Sequence, residues 1–158
     1  VVFIYDINTG LIQYFFSGNQ SQIQNILNDY PEKKDILKEV IFDDNQNVID
    51  KPKNYKLVVY NGKALTYYKK PKMILTADKT QINGDGVDYC NLNIKTEDLH
   101  PLEKQLGLDK PYYLKINGKL QQINDSVIPI SSEENNYKIV IEGDNNRYRS
   151  NVVEIEVI

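Results

Sequence analysis

Side chains able to do acid–base, nucleophilic or metal chemistry are few in these 158 residues, and their spacing keeps them apart. There is one histidine, His100, and one cysteine, Cys90. A single imidazole leaves no second ring for a two-histidine metal site, and none to spare for a Ser-His-Asp triad. His100 precedes Pro101 in a polar stretch, where a loop residue is expected rather than a catalytic base. Cys90 alternates with Leu92 and Ile94, which places it on the inner face of a strand as a small apolar residue with an inert thiol. With no second cysteine there is no internal disulfide, so packing alone must hold the fold.

The carboxylates are clustered at turn-like positions. Asn83-Gly84-Asp85-Gly86-Val87-Asp88 has the look of a calcium loop, but it lacks the spaced acids and distal glutamate of an EF-hand, and a β-turn accounts for it. Glu133-Glu134 and Glu142-Gly143-Asp144 are expected in solvated turns, where loops at one end of a sandwich could pool them. Glu154 and Glu156 occupy outward alternate positions, so no facing pair for glycoside hydrolysis is expected. Gly84-Asp85-Gly86 opens a strand rather than a helix, unlike a phosphate loop. The expectation is therefore no enzyme, and no catalytic, cofactor or metal residue.

Twelve tyrosines with no tryptophan point to contact instead of catalysis. Tyr14, Phe16, Tyr67, Tyr68, Tyr112, Arg147 and Tyr148 are the candidates for stacking on a sugar or packing on a partner. Strand alternation lets only one residue of each adjacent tyrosine pair face outward.

The elements that must position these residues fall into two groups. Val2 to Tyr5 and Leu11 to Phe16 predict a hairpin turned by Asp6 to Gly10. Ile23, Ile26, Leu27 and Tyr30 make one apolar stripe, predicting a helix over about 20–30 that Pro31 stops. Residues 35–43 predict a helical turn running into a strand, and 43–47 a loop. Tyr55 to Tyr60, Asn61-Gly62 and Lys63 to Tyr68 form the clearest hairpin. Lys69-Lys70-Pro71-Lys72 is charged and holds a proline, marking a boundary between modules 1–70 and 71–158. Beyond it, short strands are expected at about 73–82, 87–96, 112–117, 119–123, 127–130, 137–143 and 149–158, with a helical turn at Leu102 to Leu106.

Composition narrows the partners. Charged residues make up 26% and apolar ones 41%, the balance of an ordered globular chain. A formal charge of −3 with no long lysine or arginine run argues against nucleic acid. No apolar stretch is long enough to span a bilayer, so membrane insertion is not expected. The sequence given opens on a strand without a secretion signal; carriage on a particle or release by lysis would need none.

Two stretches carry a resemblance. Met73-Ile74-Leu75-Thr76-Ala77-Asp78-Lys79, then Asp85-Gly86-Val87-Asp88, then Cys90-Asn91-Leu92-Asn93-Ile94 resemble bacterial immunoglobulin-like domains of the invasin and intimin type. Gly84 and Cys90 stand where those domains usually have alanine. Tyr137 to Ile141 and Val152 to Val157 would be the closing strands, so the resemblance spans about 72–158. Ile4 to Ile12, together with Pro52 to Tyr55 leading into Asn61-Gly62, is similar to a small domain of bacteriophage tail-fibre and baseplate proteins. The resemblances imply a mainly β protein, a small α+β docking module followed by an immunoglobulin-like β-sandwich. They imply a virion component made in the host cytoplasm, present in multiple copies among other virion proteins, with host-surface glycans as weak ligands. Capsid decoration, a tail-fibre assembly chaperone and a bacterial adhesin fragment are the competing readings.

Overall fold

The computed structural model describes residues 2–16, 25, 37–41 and 51–158, and the chain divides into two compact units, 1–70 and 71–158. Among the described residues both are built mainly from β-strands. The expected helix over 20–30 and the loop over 43–47 lie outside the described residues, apart from Asn25, which is helical.

In the first unit, β1 (Val2–Asp6) pairs antiparallel with β2 (Ile12–Phe16) and with β3 (Leu37–Ile41). The turn between β1 and β2 follows from Asp6, whose carboxylate accepts the amides of Asn8 at 2.8 Å and Thr9 at 3.3 Å. Gly10 then takes φ +74, a conformation that costs a side-chain-bearing residue. A 3-10 turn at Pro52–Asn54 leads into β4 (Tyr55–Tyr60), which pairs with β5 (Lys63–Lys69). Asn61 and Gly62 have φ 49 and 72, the paired positive values of a two-residue hairpin turn. The β1–β2 turn lies against β4: the Leu57 amide donates to the Gly10 carbonyl at 2.9 Å. Phe3, Tyr5 and Leu57 form the buried centre, with Ile7, Ile12, Tyr55, Val59, Ala64 and Tyr67 around them.

The second unit contains β6 (Lys72–Ala77), β7 (Gln81–Ile82), β8 (Tyr89–Thr96), a short helix α1 (Pro101–Gln105), β9 (Tyr112–Ile116) and β10 (Lys119–Ile123). β11 (Val127–Ser131), β12 (Tyr137–Glu142), β13 (Arg149–Ser150) and β14 (Val152–Val157) complete it. They form a five-stranded sheet, β10-β9-β12-β14-β7, and a four-stranded sheet, β11-β8-β6-β13. One core takes Met73, Leu75, Cys90, Leu92 and Ile94 from the second sheet and Leu114, Ile139, Ile141, Ile155 and Val157 from the first. Burial alternates along β6 and β8, the pattern of strands with one face on a core.

Two expected strands are each broken. The run over 73–82 ends at Ala77, where the Asn91 amide passes to the Asp78 carboxylate at 2.7 Å; β7 then joins the other sheet, parallel to β14. The run over 149–158 breaks at Asn151: β13 runs parallel to β6, while β14 pairs with β12. The expected strand over 87–96 starts at Tyr89, because Val87 and Asp88 belong to the preceding turn.

Asn151 explains how the second break is tolerated. Its amide nitrogen donates to the Leu75 carbonyl, and its amide oxygen accepts from the Leu75 amide, both at 2.8 Å. The side chain thus stands in for the strand that ended at Ser150, and satisfies main-chain groups of a residue that is only 1% exposed. Asn151→Ala removes both bonds and should cost about 2 kcal/mol in denaturant unfolding. A loss below about 0.5 kcal/mol would contradict this role.

Candidate functional site

Tyr14 and Phe16 lie on β2, paired with Ile4 and Val2; their side chains lie outside the described residues. Tyr67 and Tyr68 are half-buried, and the Tyr67 ring packs on Phe3 with centroids 5.0 Å apart. Two candidates require correction. Tyr112 is 8% exposed and Tyr148 is 1% exposed, both within the core of the second unit, so neither offers a ring face to a ligand. Tyr112 is inward because Leu114 on the same strand face must be, which leaves Tyr113, 36% exposed, as the outward member of the pair. Burial raises the Tyr148 hydroxyl pKa.

Arg147 is also not a free contact. Its Nε donates to the Asp144 carboxylate at 2.6 Å, Nη2 donates to the Pro111 carbonyl at 2.7 Å, and Nη1 donates to the Leu108 carbonyl. The guanidinium lies over the rings of Tyr113 and Tyr148, 5.2 and 5.6 Å from their centroids. Asp144 in turn accepts the amides of Asn146 and Arg147. This half-buried assembly fastens the turn after β12 to the connection before β9. Tyr113 stays partly exposed under the guanidinium.

Among the described tyrosines Tyr60, at the end of β4, is 43% exposed, and Tyr89 is 49% exposed on the outer face of the four-stranded sheet. Strand register sets a mixed surface of uncharged side chains beside Tyr89: Ser131 lies opposite it, the apolar Pro129 opposite Asn91, and Asn93 lies between Thr76 and the apolar Val127. The ring is flanked by the Lys79 ammonium, 5.9 Å from its centroid, and that ammonium is held by Asp88 at 2.8 Å. A partly exposed ring with amides and hydroxyls on one flat face can stack on a pyranose and bond its hydroxyls. Tyr89, Asn91 and Asn93 alternate with Cys90, Leu92 and Ile94, so the sequence already carried the signal for this face.

The acidic loop is held by its own backbone. Asp85 accepts the amides of Val87 and Asp88, while Asp88 accepts from Lys79, Asn83 and Tyr89. Asp85 is held below the usual carboxylate range by the amides of Asp88 and Val87, and Asp88 by the Lys79 ammonium and then the Asn83 amide. Both folded pKa values are depressed, so this stabilisation is present above the ordinary carboxylate range and is lost as the pH falls through the folded values. Among the described residues, no group of three His, Cys, Asp or Glu is placed to hold a metal ion. His100 caps α1, its Nδ1 accepting the Leu102 amide at 3.2 Å. Cys90 is fully buried, and burial pushes its thiol pKa up.

Among the described residues no helix is long and apolar enough to cross a membrane. No family model, curated protein sequence or solved structure matches the chain.

Proposed function

We propose that this chain is a structural or accessory bacteriophage virion protein. Residues 1–70 form a small α+β module that docks on the tail, baseplate or fibre, and residues 71–158 form an immunoglobulin-like sandwich displayed for weak attachment to host-surface glycans. The observation that carries the sandwich reading is its strand order. β6, β8 and β11 are neighbours as A, B and E are in that architecture, and β14, β12, β9 and β10 run as G, F, C and C′. Tyr137 supports it further: it opens β12 at the corner where a structural tyrosine is expected, and its hydroxyl bonds back to Ser132.

The virion assignment rests on the resemblance of Ile4 to Ile12 and of Pro52 to Gly62 to tail-associated modules. A non-catalytic role agrees with polar side chains engaged in turns and ladder ends, such as Asp85, Asp88, Asn117 and Asn151. The Tyr89 face supplies the surface for a neutral sugar, and weak single-site binding would be multiplied by display in many copies. Mass spectrometry of purified particles tests the assignment. Peptides of this chain are expected in intact virions and, after separation, in the tail fraction. Recovery in heads would favour capsid decoration, and recovery in infected lysate but not in particles would favour an assembly chaperone.

A further inference from the structure

The two sheets of the second unit expose four edge strands, and three of them are blunted. β7 and β13 are two residues long, too short to template another strand. β11 carries Pro129 at its centre. The Ile94 amide donates to the Ser126 carbonyl at 2.7 Å, which fixes the ladder phase. Residues 127, 129 and 131 therefore turn their main-chain groups away from β8, and Pro129 removes the central outward donor.

β10 has no such protection. The Asn117 amide donates to Val140, so the odd residues of β9 bond β12 and the even ones bond β10. Across the hairpin, Lys119, Gln121 and Ile123 bond inward, and Leu120 and Gln122 direct their amides and carbonyls outward from the sheet. Lys119 to Gln122 are all exposed, Leu120 at 62%, and β10 after Lys119, together with Asn124 that follows it, carries no charge.

We infer that the β10 edge is the docking site for a second copy of this chain, the two β10 strands pairing antiparallel across a two-fold axis. Such pairing is isologous: the edge meets itself. A register centred on Gln122 brings the outward groups of Gln122 onto their counterparts and sets Leu120 opposite Asn124 of the second copy. It also brings Lys119 of each copy toward Asp125 of the other, so opposite charges meet at both ends and like charges at neither. This charge match, between Lys119 at the start of β10 and Asp125 in the bend just after it, is what selects a second copy over an unrelated extended segment. The inference does not depend on the virion reading.

Sedimentation equilibrium of residues 1–158, from about 1 μM to about 1 mM, should show a monomer–dimer equilibrium. Gln122→Pro removes one outward donor from each copy and leaves the β9–β10 bonds in place, so it should raise the dimer Kd about tenfold or more. Lys119→Glu should weaken the dimer, and adding Asp125→Lys should restore it. In the unaltered chain, rising concentration should slow exchange of the Leu120 and Gln122 amides without changing that of Gln121. Should the proline variant lose its fold, the charge swap and the exchange pattern decide. A monomer at all concentrations, or a dimer indifferent to these changes, would overturn the inference.

Discussion

Gly10→Ala should unfold residues 1–70 while leaving residues 71–158 folded. A Cβ built at Gly10 would stand 2.1 Å from the Leu57 carbonyl oxygen, a main-chain atom with no rotamer by which to move aside. The φ of +74 adds about 1 kcal/mol for a residue bearing a side chain. Relief requires lifting the β1–β2 turn from β4, which breaks the Leu57–Gly10 hydrogen bond and opens the contact around Phe3, Tyr5 and Leu57. We expect a loss of about 4 kcal/mol, more than a unit this small can absorb. Amide spectra should lose the dispersed signals of the first unit and keep those of the second. A variant as stable as the parent would contradict the close approach, and loss of both sets of signals together would contradict the independence of the two units.

The second large effect is at Cys90. Its side chain is fully buried among Leu92, Ile94 and the facing sheet, so Cys90→Ala leaves only a small cavity and should cost about 1–2 kcal/mol. Cys90→Asp is different in kind. It places a carboxylate where burial disfavours charge, and near Asp78 and Asp88, whose charges already oppose a thiolate there. A loss of about 3–5 kcal/mol is expected, measured by denaturant unfolding of the two variants side by side. The native thiol should resist alkylating reagents until the second unit unfolds. Rapid labelling of the folded protein would place Cys90 at the surface and remove the argument.

The sequence made local features legible where one residue type forces one geometry. Asn61-Gly62 announced its turn because few other pairs accept two consecutive positive φ values, and the alternation of Cys90, Leu92 and Ile94 announced an inner face. What was hidden depends on partners distant in the chain. Nothing between Met73 and Ile82 says that Ala77 and Gln81 belong to different sheets, because alternation is a property of one strand and sheet membership is a property of two. Asn151 looked like any polar residue within the expected strand over 149–158 until Leu75 was beside it. Tyr112-Tyr113 was legible further than its use as a contact candidate allowed: Leu114 and Ile116 alternate with Lys115, which puts Tyr112 on the inward face and Tyr113 outside. Arg147 read as a contact residue because two of its three acceptors, the Leu108 and Pro111 carbonyls, are main-chain atoms 39 and 36 residues away.

The parallel pairings β13 with β6 and β14 with β7 have a mechanical consequence. The second unit begins its strands at Lys72 and ends them at Val157, and these two points lie at opposite ends of the paired terminal strands. Tension applied between Pro71 and Ile158 would therefore pull along the hydrogen-bonded terminal strands and load their bonds together, in shear. An antiparallel terminal pair pulled from adjacent ends would instead open one bond at a time, like a zip. A domain tethered through its two ends would resist drag by the geometry of its first and last strands, without a covalent crosslink.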